Sequence, residues 1–312
     1  MENQCLGLAE TMGADPEVKR IAVRNPWRSL PPQLWLRPFQ ALSDTSDPLQ
    51  PPWPDLLIAT GRQTVALSTA IRKASEGRTF SVQIQNPVVT PSNFDMVVAP
   101  QHDRLRGHNV IETFGALNRV SAAAIATAAE RFSGGVSHLP RPLIVVLLGG
   151  DNKVYRMTEA SCRDLAAKLR NLCESSGAGL AVTPSRRTGA VNEKIIRDAL
   201  ADLPHVWHEE GQPNPYLGWM GLGDAFVVTS DSVNMVSEAC GTGKPVFVHD
   251  LPGGNAKFER FHQALREAHM VRPLDGQLAH WTYPVLDDTA KVAAIVKQRF
   301  AEHLQKLERP RT

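Results

Sequence analysis

The sequence predicts an α/β protein carrying two parallel sheets, each wrapped by helices. Three observations predict it. Runs such as Leu56-Leu-Ile-Ala59 after Asp55, Leu143-Ile-Val-Val-Leu-Leu148 and Ala225-Phe-Val-Val228 are apolar throughout instead of alternating, the pattern of strands buried on both faces. Amphipathic helical segments alternate with these runs, as βαβ crossovers require. The alternation occurs twice, on either side of the Gly/Pro stretch Ser133–Pro142, and 312 residues suit two domains at roughly 150 each. The expected division is 1–138, 139–288 and a C-terminal helix, 289–312, able to cross back to the first domain.

Hydrophobic content of 42% and charged content of 21% describe an ordinary globular chain. The net charge of +2 offers no electrostatic case for nucleic acid. No apolar run approaches the roughly 18 residues of a membrane span, so any membrane association would be peripheral. The start is polar and acidic (Glu2, Asn3, Gln4, Glu10), unlike a signal or transit peptide. Cys5, Cys162, Cys173 and Cys240 form no CxxC pair and fall in helical segments, as reduced core thiols of a cytoplasmic protein would. His and Cys are too scattered for zinc, no Asp-x-Asp clamp ends a suitable strand, and no G-x-G-x-x-G follows the first strand of either half. No metal and no resident cofactor are expected.

In chain order, Met1–Gly13 reads as helix and Ile21-Ala-Val23 as a short strand. An α/β domain normally opens with a strand, so the first sheet is expected to lack one. Prolines 26, 31, 32, 38, 48, 51, 52 and 54, with Trp27, Trp35 and Trp53, make Asn25–Pro54 an irregular excursion held by its tryptophans. The strand ending at Ala59 turns through Thr60-Gly-Arg-Gln-Thr64 into the helix Val65–Ala74. Ser81–Ile84 runs into Gln85-Asn-Pro87, and Phe94–Ala99 into Pro100-Gln-His-Asp103. Gly61, Arg62, Gln85 and Asn86 should therefore share one sheet edge. His102 and Asp103 are the nearest approach to a general acid/base pair, although adjacent His-Asp also occurs as a plain loop feature. Val110–Thr113 and the Ala-rich helix Ser121–Arg131 complete this half.

In the second half, Leu143–Leu148 ends in Gly149-Gly150, and Gly179–Val182 ends in Thr183-Pro-Ser-Arg-Arg-Thr188. His205–Trp207 precedes Asn214-Pro-Tyr216 and a short helix, Leu217–Leu222. Ala225–Val228 leads into Ser230-Asp-Ser232, any of which can cap the following helix. Val233, Val236 and Cys240 of that helix face a core. Gly241-Thr-Gly-Lys-Pro245 is no Walker A loop: it follows a helix, Pro245 replaces the Ser/Thr, and the first glycine is missing. Helices are expected at Thr158–Ser175, Glu193–Leu203, Phe258–Ala268 and Thr289–Leu307.

Ligands of such sheets bind at the carboxyl edge, where helix N-termini favour phosphate. Gly149 and Gly150 would admit close backbone approach, and Ser185, Arg186, Arg187, Asn214, Tyr216, Ser230, Ser232 and Asn234 would surround a diphosphate. Glu238, a turn into its helix, would hold a ribose diol. The alternative is a capped helix with a solvated glutamate.

The motifs Glu2-Asn-Gln4, Thr60-Gly-Arg62, Gln83-Ile-Gln-Asn-Pro87, Pro100-Gln-His-Asp103, Gly115-Ala-Leu117, Leu148-Gly-Gly150, Thr183-Pro-Ser-Arg-Arg-Thr188, Asn214-Pro-Tyr216 and Thr229-Ser-Asp-Ser-Val-Asn-Met-Val-Ser-Glu238 together span nearly the whole chain. On them the chain resembles the mitochondrial-fission "elongated mitochondria" family and its bacterial relatives, and its second half is similar to the nucleotide-binding domain of GT-B glycosyltransferases. Bacterial relatives usually place a strand and a Gly-containing loop before Glu-Asn-Gln, whereas Met1 directly precedes Glu2 here. The resemblance implies two Rossmann-like domains facing each other across a cleft, with Gly61, Arg62, Gln85 and Asn86 on the acceptor side, and nucleotide-sugar binding with metal-independent glycosyl transfer to an unknown acceptor, or sugar-nucleotide epimerisation. The plant member, a dynamin-recruiting factor on mitochondria, implies a different role, that of a non-catalytic adaptor.

Overall fold

The computed structural model describes residues 1–308. Contacts divide it into two units: Met1–Arg119 with the chain from Asp287 onward, and Val120–Leu286.

The first unit opens with α1 (Glu2–Thr11). Four parallel strands follow, β1 (Leu56–Thr60), β2 (Phe80–Ile84), β3 (Met96–Pro100) and β4 (Val110–Thr113), in spatial order β1-β2-β3-β4. α2 (Val65–Ala74) links β1 to β2. β2 is buried along its length although its sequence, Phe80-Ser-Val-Gln-Ile84, alternates; the polar side chains are bonded inside, Ser81 Oγ donating to Asp95 at 2.8 Å and Gln83 Nε2 to Ile84 O at 3.2 Å. One face of the sheet packs Phe80, Val82, Met96 and Val98 on Leu8 and on Val292, Ala293 and Val296 of the C-terminal helix, Asp288–Glu308. That helix is pinned at its start, where Asp288 accepts from the Gly115 amide at 2.9 Å and Thr289 Oγ1 from the Asn118 amide at 3.1 Å.

The excursion between α1 and β1 is ordered by its aromatics. Trp35 is buried with Val23, Ala41, Ala66 and Leu67, and Phe39 stacks on Trp53 at 5.5 Å. The strand expected at Ile21–Val23 is not formed; Val23 makes only an isolated antiparallel bridge to Leu42. Arg24 N donates to Ala41 O and Ser43 N to Ala22 O, both at 2.9 Å, and beyond them the partner segment is the 3₁₀ turn Pro38–Ala41, so the pairing stops there.

The second unit holds six parallel strands: β5 (Leu143–Leu148), β6 (Gly179–Pro184), β7 (His205–Trp207), β8 (Ala225–Thr229), β9 (Val246–His249) and β10 (Val271–Pro273). Its helices are α3 (Ala122–Phe132), α4 (Glu159–Ser176), α5 (Ala190–Ala199), α6 (Tyr216–Leu222), α7 (Val233–Cys240) and α8 (Ala256–Glu267). The spatial order is β10-β9-β8-β5-β6-β7. Successive connections move one way from β5 to β7 and then the other way from β8 to β10, so the order reverses between β5 and β8. Alternate residues of β5 serve two cores: Ile144, Val146 and Leu148 meet Leu165, Leu169 and Leu172 of α4, while Leu143, Val145 and Leu147 meet the layer of Trp219, Val236, Phe261 and Leu265.

The Gly/Pro stretch at 133–142 suggested a boundary at 138/139, whereas α3 groups with the second unit. The reason lies in α6. A Cβ on Gly218 would sit 2.7 Å from the Ala128 carbonyl oxygen, so α3 rests almost backbone-to-backbone on α6. β10, three residues ending in Pro273, was not anticipated from the sequence.

Candidate functional site

In sheets of this order, ligands bind outside the strand carboxyl ends where the order reverses. Here that crevice lies between β5, which ends in Gly149-Gly150, and β8, which ends in Ser230-Asp-Ser232.

The three cap-competent residues after β8 divide their labour. Ser232 is the N-cap of α7, its Oγ accepting from the Met235 amide at 3.3 Å. Ser230 is buried; its Oγ accepts from Leu251 N at 3.0 Å and its carbonyl contacts His262 Nε2 at 2.8 Å. Asp231 turns inward, its side chain wholly buried. It accepts from Gly150 N (3.1 Å) and from Thr229 Oγ1 (2.7 Å), and it pairs with Arg187 at 2.8 Å.

The glycines after β5 make this arrangement fit. A Cβ on Gly149 would lie 2.1 Å from Asp231 Oδ1, and one on Gly150 would lie 2.0 Å from the Arg187 carbonyl oxygen. The close approach expected for a ligand is made within the chain. The Thr183–Thr188 turn is stapled to the same place: Ser185 Oγ donates to Gly149 O at 2.9 Å and Thr188 Oγ1 to the same oxygen at 2.6 Å. Arg187 is thereby committed to Asp231, while Arg186 is exposed and has no ion-pair partner among the described residues.

Asn214 is exposed, and its Oδ1 accepts from the Tyr216 amide at 3.0 Å. The Tyr216 hydroxyl donates to Glu238 Oε2 at 2.5 Å, joining the start of α6 to α7. Burial pushes the Glu238 carboxyl up to about 7, against the lowering effect of the tyrosine bond. Burial first, and then the neighbouring carboxylate, raises the Tyr216 phenol well above its usual range. Asn234 is exposed on the first turn of α7. In the second unit Arg186 follows β6, and Ser232 and Asn234 open α7 after β8, all at the strands' carboxyl ends, while Tyr216 and Glu238 form a hydrogen-bonded pair between α6 and α7. As a cap, Ser232 has a measurable weight: Ser232→Ala is expected to destabilise the protein by about 1 kcal/mol in denaturant titration.

In the first unit Gly61 has φ +88°, and Arg62 Nη2 donates to Leu30 O at 3.3 Å. Gln85 Nε2 donates to Gln4 Oε1 at 3.1 Å, and Asn86 Oδ1 accepts from Val88 N at 2.9 Å. His102 Nε2 lies 3.9 Å from Asp103 Oδ1, with both side chains enclosed (2% and 6% exposed). Among the described residues no group of three or more His, Cys, Asp or Glu could hold a metal ion, and no helix is long and apolar enough to cross a membrane.

Sequence reasoning gave Asp231 only a possible capping role and assigned none to Thr188 or His262. Asp231 had a signal, its place among three cap-competent residues, but only geometry distinguishes the one that turns inward.

The mitochondrial fission ELM1 family model matches residues 1–300. The mitochondrial fission protein ELM1 of Arabidopsis thaliana is 34% identical over 275 residues, covering 80% of this chain; the match spans 64% of the plant protein. The uncharacterized protein RP120 of Rickettsia prowazekii (strain Madrid E) is 25% identical over 297 residues, covering 83% of this chain and 82% of that one. Among solved structures, UDP-GlcNAc 2-epimerase from Methanocaldococcus jannaschii is similar with TM-score 0.50 at 13% identity, covering 78% of this chain and 77% of that one, which shows a common GT-B-like fold. The match over almost the whole length places this chain in the mitochondrial fission ELM1 family.

Proposed function

We propose that the protein binds a nucleotide-diphosphate sugar at the carboxyl edge of its second sheet and transfers the glycosyl group without a metal. The observation that carries this reading is the crevice between β5 and β8, where a committed ion pair, Arg187–Asp231, leaves Arg186 as an exposed cation near a capped helix start. Arg186 and the α7 N-terminus would take the diphosphate. Glu238, oriented by Tyr216, would take the ribose diol. His102 with Asp103 is assigned the acid/base role, and Gly61, Arg62, Gln85 and Asn86 the acceptor side. Epimerisation of a sugar nucleotide would use the same binding groups; the UDP-GlcNAc 2-epimerase with this fold is named for that activity.

One observation favours the second reading, an adaptor without catalysis. The His102 and Asp103 side chains are enclosed, and the Gly149-Gly150 turn is filled by the chain's own carboxylate. Calorimetric titration with UDP-, GDP-, ADP- and CMP-sugars separates the two. Binding of one of them, weakened about tenfold or more by Arg186→Ala, is expected, as for loss of a charge-assisted contact. Silence across the panel would leave the adaptor.

A further inference from the structure

We propose that the proline- and tryptophan-rich excursion of the first unit is a docking surface for anionic lipid headgroups, seating the protein peripherally on a membrane. The inference does not rest on the nucleotide-sugar site.

Its first support is an unusual exposure of apolar side chains on a rigid base. Trp35 is only 7% exposed and is locked among Val23, Ala41, Ala66 and Leu67. Its neighbours Leu34 and Leu36 are 59% and 84% exposed. The inward tryptophan holds the two leucines out. Gln33 Nε2 donates to Val88 O at 2.9 Å, which brings the loop after β2 beside the Pro32–Leu34 turn. Val88 is 68% exposed and adopts φ +59°, a backbone conformation that β-branched residues avoid. The Asn86 side chain bonds its amide and holds that conformation. Three apolar tips are thus presented by constrained backbone.

The second support is charge. Between Val18 and Pro54 stand Lys19, Arg20, Arg24, Arg28 and Arg37, against Asp44 and Asp47. Lys19 and Arg20 pair with Glu17 and Glu2 outside that span. Arg24 lies over the Trp27 ring at 5.4 Å, and the Trp27 Nε1–H reaches Leu36 O at 3.5 Å. Arg28 and Arg37 are exposed and without an ion-pair partner among the described residues. Arg62 adds a cation through its bond to Leu30 O. Shallow apolar tips among unneutralised cations and a half-exposed tryptophan match the headgroup layer of an acidic bilayer. A protein partner would instead call for a continuous apolar patch depleted of charge at its centre.

The test is flotation of the full-length protein with vesicles of phosphatidylcholine alone and with about 30% phosphatidylglycerol added. Binding to the acidic vesicles only is expected, abolished by about 0.5 M NaCl. Arg28→Ala with Arg37→Ala should weaken it about fivefold per cation removed. Leu34→Ser with Leu36→Ser should weaken it about tenfold or more. Both pairs change exposed side chains, so each variant is expected to melt as the parent does. No flotation, equal flotation on neutral vesicles, or acidic-vesicle binding that both double variants retain would overturn the proposal.

Discussion

Asp231→Ala is expected to lower the stability of the protein by about 3 kcal/mol, the low end of what breaking a buried, hydrogen-bonded ion pair costs. The carboxylate is fully enclosed and satisfies three donors: the Gly150 amide, the Thr229 hydroxyl and the Arg187 guanidinium. Truncation leaves the first two without an acceptor at an enclosed position and opens the space that the glycines clear. The Arg187 side chain is 39% exposed and can turn to water, so its charge is not trapped; hence the low end of the range. Asp231→Asn keeps the shape but loses the ion pair and one acceptor site, so about half the loss is expected. In a thermal melt the alanine variant should fall by about 6–12 °C, at roughly 2–4 °C per kcal/mol for a unit of this size. A shift under about 2 °C would mean the carboxylate is not the fastener between β5 and β8.

The same cluster shows what could be read in advance. The strands of the second sheet were legible because burial on both faces leaves continuous apolar runs, as in Leu143–Leu148 and Ala225–Thr229. The helices were legible from period and caps, Thr158 and Ser232 among them. Ile21–Val23 had the composition of a strand, but its partner around Leu42 emerges directly from the 3₁₀ turn Pro38–Ala41, so only one bridge forms. β10 stayed hidden because three residues ending in proline carry no period.

At the site, residue types near a sheet edge were legible, and their partners were not. Gly149 and Gly150 signal that something approaches closely; the something is Asp231 and the Arg187 backbone, 82 and 38 residues from Gly149. Arg186 and Arg187 are neighbours in sequence, yet one is spent on an internal pair and the other is exposed. Tyr216 and Glu238 belong to different helices, and only folding makes them one hydrogen-bonded unit.

That unit yields the second large expected effect. Glu238→Gln should stabilise the protein by about 2 kcal/mol near pH 8 and leave it unchanged below about pH 4. The sign follows from the raised carboxyl, about 7 in the folded protein against 4.5 ordinarily. Between those values the folded form holds a proton that the unfolded form releases, so stability falls as pH rises, and the whole loss is present above 7. Glutamine cannot ionise and escapes that loss while still accepting from the Tyr216 hydroxyl. Taken at face value the shift is worth about 3 kcal/mol, reduced here because the side chain retains some access to solvent. Urea titrations of both proteins near pH 4 and pH 8 measure the gap, and a gap equal at the two pH values would show an ordinary carboxyl. The proposed ribose contact adds a second, opposite slope. Ribose hydroxyls donate best to the ionised form, so affinity for the bound nucleotide sugar should rise between about pH 6 and 8 while wild-type stability falls, and the glutamine variant should bind with no such slope. Affinity indifferent to pH in the wild type would detach Glu238 from the ribose and leave it a structural partner of Tyr216.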